Sequence, residues 1–406
     1  MRIVFVDTTM DGSIVGGAHT FLVGAMAVLA LEHEVHFISK GVPIARSAAR
    51  IQESNAIINT DLWDGSNLVD DATPGVAAWV NELNPDVYVV SVSPDIGWTV
   101  LPYLDPRIAT FTIGHNDERS FYDPVKHYAP FLTRAIGVSD TICRRYVDEC
   151  GMAPARVEWI PYGVETLANF DASVSRVADR PDNKLPLRLA YVGRFENKQK
   201  RIADIVAIAR RLAEEGVSFE FDLVGDGDEM PFVREQLTDL VDTGSGRIHG
   251  WLSSDQVIQK LRDSEVFVLA SAYEGFCISL IEAMANGCCP VVTDIESGNK
   301  QLVEDGVNGF VVPVGDVEAF VDRIKLLAGN RERLNEMRLE AWETGREYSI
   351  ERMVSNYISC FEGAIEDARL NPRTPDPEFP LMESCRSKYP LWLRRLKAKA
   401  KKLATN

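Results

Sequence analysis

Val266-Phe-Val-Leu-Ala-Ser271, Ala272-Tyr-Glu-Gly-Phe-Cys-Ile-Ser279, Leu280-Ile-Glu-Ala-Met-Ala-Asn-Gly287, Cys288-Cys-Pro-Val-Val-Thr-Asp294: the fold is read from this stretch. Its first and last runs are continuously apolar, as parallel strands buried on both faces are. Between them Ser279 is placed to cap a short helix and Gly287 to close it. Strand, loop and helix in that order bring bare backbone N–H groups to the carboxyl edge of a sheet, where doubly wound folds bind anionic ligands. Two acids sit in the unit, Glu274 in the loop and Glu282 in the helix. Glu274 either lies beside a bound ligand or serves only as a charge partner of the helix N-terminus. The stretch alone leaves both readings open.

Upstream of it the same pattern recurs. Leu187–Val192 reads as a strand, Ile202–Glu215 as a helix, Phe219–Val224 as a strand and Met230–Leu240 as a helix. A strand-like piece ends at Gly250, and a helix capped by Ser253 or Ser254 follows. Downstream, Gly309–Pro313 is strand-like and Val317–Ala328 helical. The first half alternates in the same way: strands at Arg2–Asp7, Glu34–Ser39, Asp86–Ser91, Ile108–Ile113, Arg134–Ser139 and Val157–Tyr162, with a helix at Thr20–Leu31. Such alternation implies parallel sheets with helices on both faces. Residues 171–186 are polar, aperiodic and contain two prolines, the character of a linker. The expected organisation is therefore an α/β domain over 1–178, a second over 187–348, a helix over 349–368 and a Pro-broken linker with a basic tail over 369–406.

A chain of 406 residues suits two such domains. No apolar run approaches the roughly 20 residues that span a bilayer, and the first strand turns polar too soon for a signal peptide. The seven cysteines show no metal-ligand spacing and read as reduced thiols of a cytoplasmic protein. The net charge of −17 is uneven. Residues 386–406 carry eight basic residues and no acid; the rest holds 35 basic against 60 acidic residues. So acidic a body repels a phosphate backbone, which argues against nucleic acid as a partner. In the tail Tyr389, Trp392, Leu393, Leu396, Ala400 and Leu403 fall at helical spacing among Arg and Lys. That is either a basic amphipathic helix suited to an anionic membrane surface or a tail that is disordered or docked on protein.

Three loops could carry chemistry. Gly16-Gly17 precedes the first helix and is either a close approach to a ligand or a flexible turn. Gly193-Arg194-Phe195-Glu196-Asn197-Lys198-Gln199-Lys200-Arg201 follows a strand, where Arg and Lys can clamp a diphosphate or merely be solvated. Gly225-Asp-Gly227 follows the next strand. The Gly-x-Gly-x-x-Gly and distal acid of a nicotinamide site are missing from the first loop, which argues against a dehydrogenase.

Taken together, Gly-Arg-x5-Lys, Gly-x-Gly and Glu274-x7-Glu282 in a second α/β half closely resemble the retaining glycosyltransferases of family 4, of GT-B fold. The likeness covers nearly all of 1–368 and is strongest from Tyr191 to Val314, including Asp305-Gly-Val-Asn-Gly-Phe-Val-Val. It implies two facing Rossmann-like domains with a cleft between them. It further implies a nucleoside diphosphate sugar as donor and a saccharide or lipid-linked hydroxyl as acceptor. Arg194 and Lys200 would hold the diphosphate and stabilise the leaving group, which explains why the family works without a metal; no Asp-x-Asp is read at a strand end. Glu282 would take the ribose hydroxyls and Glu274 a hydroxyl of the transferred sugar. Phe276, Cys277 and Ile278 would offer backbone N–H groups, Gly225 would border the donor, and Gly16 and Gly17 match the glycine loop of the first half. His115, after the strand that ends Ile113-Gly114, resembles the residue that contacts the sugar near its reacting carbon. The chain departs from the family at Cys277, where glycine is common, at Arg201, where glycine follows the clamp lysine, and at Gln301, where glutamate is usual. Rivals of the same fold are an epimerase or a phosphorylase; a rival of another class is a silent nucleotide-sugar-binding protein.

Overall fold

The computed structural model describes residues 1–7, 21, 24–25, 27–39, 54–59, 62, 69–91, 95–170, 185–296 and 298–382. Gly16, Gly17, Ser297 and the basic tail 386–406 lie outside these. The chain divides into two compact units, Met1–Ile160 with the chain from Val354, and Pro161–Met353.

The first unit is built on a seven-stranded parallel sheet: β1 (Arg2–Asp7), β2 (Glu34–Ser39), β3 (Ile57–Asn59), β4 (Val87–Val90), β5 (Ala109–Gly114), β6 (Arg134–Gly137) and β7 (Val157–Trp159), in the order β3-β2-β1-β4-β5-β6-β7. Every residue of β4 and β5 is buried, as expected for central strands covered on both faces. Helix Ile350–Leu370 ends on this unit. There Phe361 meets Phe111 at 4.9 Å and Arg134 pairs with Asp367 at 2.6 Å.

The second unit carries six parallel strands: β8 (Leu187–Val192), β9 (Phe219–Val224), β10 (Gly246–Gly250), β11 (Val266–Leu269), β12 (Cys289–Thr293) and β13 (Phe310–Val312), in the order β10-β9-β8-β11-β12-β13. In both sheets the strand order reverses beside the first strand, so β8 lies between β9 and β11. Loops leaving the carboxyl ends at such a switch point diverge and leave a crevice. Helices Ile202–Glu214, Val317–Gly329 and Arg331–Arg346 cover this sheet through Ile205, Ile208, Leu212, Phe320, Ile324 and Leu334, all essentially inaccessible.

Several expectations change. The division falls at 160 rather than 178, because residues 161–170 pack within the second unit. Leu167 accepts from Trp342 Nε1 at 3.2 Å, Phe170 lies 5.6 Å from the Trp342 ring, and Val164 N–H donates to Tyr348. The helix read over Met230–Leu240 is two, Met230–Gln236 and Thr238–Asp242, broken at Leu237. β3 and the helices Val69–Leu83 and Arg331–Arg346 were not resolved by periodicity. Residues 371–382 are irregular yet anchored. Arg373 donates to the carbonyls of Phe131, Asp105 and Ile108, and Phe379 sits 4.8 Å from the Phe131 ring. Among the described residues no helix is long and apolar enough to cross a membrane.

Candidate functional site

The loops leaving β8, β9 and β11 are stitched into one platform. Gly193 N–H donates to Val224 O and Phe195 N–H to Asp226 O, at 3.0 and 2.9 Å; Ala272 N–H donates to Gln199 O at 2.7 Å. Gly225 makes the approach possible. Its φ of +146° is open to glycine, and a Cβ there would fall 1.8 Å from Gly193 O.

Lys200 and Glu274 meet on this platform. The ammonium lies 2.6 Å from Glu274 Oε1, with both side chains largely buried. Burial opposes the charge on Lys200, but the Glu274 carboxylate outweighs it and holds the ammonium above its ordinary pKa. Arg194 joins through Gln199: its Nη2 donates to Gln199 Oε1 at 2.8 Å, and Gln199 Nε2 donates to Glu274 Oε2 at 3.3 Å and to Tyr273 O at 3.2 Å. The Glu196 carboxylate accepts the backbone N–H groups of Gln199 and Lys200 and folds the loop back. Arg194, Lys200, Glu274 and Gly225 are thus brought together. Gln199 and Glu196 carry no role in the motif reading; a polar amide flanked by two lysines gives no periodicity signal, and only its burial marks it out.

Arg201 occupies the left-handed region, φ +50° and ψ +48°. That conformation explains a preference for glycine at the position. Its guanidinium pairs with Asp204 at 2.6 Å.

Glu282 lies on helix Ile278–Ala285, half-buried. The expected cap differs. Cys277, not Ser279, is the N-cap residue, and it makes no side-chain capping bond; its thiol lies 3.4 Å from Ser279 Oγ. Burial pushes the Cys277 thiol pKa up, so it is a neutral wall of the site. Phe276 is almost inaccessible and packs 5.6 Å from Tyr348 and 6.4 Å from Tyr162. Its side chain is an anchor. Leu280 and Ile281 N–H both donate to Cys277 O, at 3.1 and 3.2 Å, so the N–H groups before Leu280 are the ones that precede the helix's first acceptor. Gly287 closes the helix as expected: at φ +83° its N–H donates to Met284 O, and that of Cys288 to Ala283 O. Two arginines hold this end, Arg338 Nε on Gly287 O at 2.7 Å and Arg262 Nε on Asn286 Oδ1 at 3.0 Å. Gln301 belongs to the short helix Asn299–Leu302, its Oε1 buried and with no hydrogen-bond partner among the described residues.

In the first unit His115 follows β5, its Nε2 2.9 Å from Ser91 Oγ and its ring 5.6 Å from Phe21. Burial lowers its pKa to about 3, so the imidazole is neutral near pH 7. One reading needs correcting: Asp226-Gly-Asp228 is an Asp-x-Asp after β9, although Asp226 uses Oδ1 on the Gly227 N–H and both acids are exposed. Among the described residues no group of three or more His, Cys, Asp and Glu is arranged to hold a metal.

Two doubly wound parallel units in one chain give the two-domain α/β fold of the GT-B class. The solved structure of Anabaena Alr3699/HepE in complex with UDP and glucose superposes with a TM-score of 0.70 at 16% identity, covering 89% of this chain and 99% of that one. Residues 186–330 match the family model described as Glycosyl transferases group 1. The chain is similar to the GDP-mannose-dependent alpha-mannosyltransferase of Corynebacterium glutamicum, 25% identical over 79% of this chain and 77% of that protein. It is also similar to the lipopolysaccharide core biosynthesis glycosyltransferase LpsE of Rhizobium meliloti, 31% identical over 45% of this chain and 52% of that one. The match with LpsE thus spans about half of that relative.

Proposed function

We propose that the chain is a retaining glycosyltransferase that moves a sugar from a UDP- or GDP-sugar to a hydroxyl acceptor without a metal ion, in bacterial surface polysaccharide or glycoconjugate assembly. One observation carries it: Arg194, Lys200 and Glu274 converge where the loops of β8, β9 and β11 meet. The similarity to glycosyltransferases supports the reaction class, and relatives named for lipopolysaccharide and mannose transfer support the setting.

In this reading Arg194 and Lys200 take the diphosphate. Breaking the bond between the sugar carbon and the phosphate oxygen leaves its electron pair on that oxygen, and fixed cations stabilise the charge most as it develops. The acceptor oxygen bonds to the same carbon from the face the nucleotide leaves, and its proton passes to the departing phosphate oxygen. Glu274 holds a sugar hydroxyl, and Glu282 takes the two ribose hydroxyls, one on each oxygen. His115, neutral at pH 7, acts as a hydrogen-bond partner of the sugar. The protein works in the cytoplasm, with 386–406 holding it at the inner face of the membrane.

A thermal-shift panel of UDP-, GDP- and ADP-sugars is expected to raise the melting temperature with UDP- or GDP-sugars. Glu282→Ala is expected to weaken donor binding at least about tenfold with the fold intact, the loss of a charged hydrogen-bonding group; unaltered affinity refutes the ribose role. Turnover that persists in EDTA supports the metal-free clamp. Release of UDP without an acceptor, or a requirement for inorganic phosphate, would favour the epimerase or phosphorylase instead.

A further inference from the structure

Gln199 is a neutral side chain that touches both Arg194 and Glu274 of the proposed site. It is nine-tenths buried and uses both ends of its carboxamide. Oε1 accepts from Arg194 Nη2 at 2.8 Å; Nε2 donates to Glu274 Oε2 and to Tyr273 O. The polarity is set by its neighbours, because the reversed amide would turn its NH2 on a guanidinium and its carbonyl on a carboxylate. Its own backbone is fixed as well, N–H on Glu196 and C=O under Ala272 N–H.

We infer that Gln199 is a positioning residue for sugar transfer, setting the separation between the cation that receives the diphosphate and the carboxylate that holds the sugar. The inference rests on the proposed function. The bond to be broken joins the parts of the donor held by Arg194 and by Glu274, so their spacing defines the strain-free position of the reacting carbon. Misplacement on the order of 1 Å can lower a rate about a hundredfold. Glu274 receives Lys200 on Oε1 and Gln199 on Oε2, and each oxygen keeps a further lone pair for a sugar hydroxyl. An amide suits this place for a physical reason. It supplies a donor to the carboxylate without adding a charge that would compete with the diphosphate for Arg194 or Lys200. No other uncharged side chain of that length offers both a donor and an acceptor.

The test compares Gln199→Met, of similar length with no hydrogen bonds, and Gln199→Glu, which keeps the acceptor for Arg194 but turns an acceptor on Glu274. UDP and GDP affinity, kcat with UDP-glucose and GDP-mannose, and melting temperature are measured for each. Gln199→Met is expected to lose kcat by about 10- to 100-fold while nucleotide affinity stays within about threefold, since UDP and GDP lack the sugar that Glu274 holds. Gln199→Glu is expected to lose more kcat than Gln199→Met, because two carboxylates then face each other. Wild-type kcat in Gln199→Met overturns the inference. A parallel fall of nucleotide affinity and kcat also overturns it, since that marks a loop that needs Gln199 only to fold. A wild-type protein that neither binds the nucleotides nor consumes either donor removes the proposed function itself, and the inference with it.

Discussion

Lys200 and Glu274 form a short ion pair in largely buried surroundings, and among the described residues neither forms a second ion pair. Removing one partner of such a pair leaves the other charge desolvated. Lys200→Met is therefore expected to destabilise the second unit by about 3 kcal/mol, read as a lower urea midpoint, and to abolish turnover. His115 makes a pH prediction. Unfolded, it takes up a proton near its ordinary value of about 6.5; folded, burial delays this to about 3. The unfolded state thus binds more protons between those values, and stability falls as pH drops from about 6.5 toward 3. His115→Asn removes the titrating group, so its melting temperature is expected to fall less steeply than the wild type's between pH 6.5 and 4.5. Equal slopes would show that His115 is not kept neutral by the fold. At Arg201 the residue type hid the backbone: the arginine stands in a left-handed turn that favours glycine, and its guanidinium is tied down by Asp204.

At the scale of elements, the loop–helix from Tyr273 to Gly287 was legible in outline and misread at one end. Serine is a strong N-cap type, so Ser279 attracts the start of the helix. Tertiary packing decides otherwise: Phe276 is wedged beside Tyr162 and Tyr348, which leaves Cys277 extended at ψ 105° and starts the helix at Ile278. The C-terminal end was legible because Gly287 answers a local demand for positive φ. Gly225 joins the scales. A Cβ there cannot coexist with Gly193 O, so Gly225→Ala must push the β8 loop away. The expected cost is about 2 kcal/mol or more, visible in chemical denaturation. Weaker donor binding is expected alongside it, because Gly193 leads directly into Arg194.

For the molecule as a whole, the segment after Leu370 matters most. Composition marks 371–382 as a linker, but Arg373 and Phe379 hold it against the residues that precede β5 and β6. It therefore runs along the amino edge of the first sheet, opposite the carboxyl edge that bears His115. Burial lowers the Arg373 pKa to about 10, a shift consistent with a cation whose partners are carbonyls. The tail is then expected to emerge from an anchored base. Deleting 386–406 should lower co-sedimentation with phosphatidylglycerol vesicles at low salt; unchanged binding discards the membrane reading.

The α/β class and most strands of both sheets are written in the sequence, because each depends on local patterns: apolar runs and glycines at turns. The charges at strand ends are local too, but their own pattern leaves a solvated loop equally open, and only the family resemblance singles out Arg194, Lys200, Glu274 and Glu282. Three things came only with tertiary structure. The division at 160 depends on Trp342 reaching back to Leu167 across 175 positions. The N-cap at Cys277 depends on aromatic rings distant in the chain. The bridge from Arg194 through Gln199 to Glu274 depends on two loops meeting at the β8–β11 switch point. Long-range packing supplies the partners in all three, and a local pattern holds no record of them.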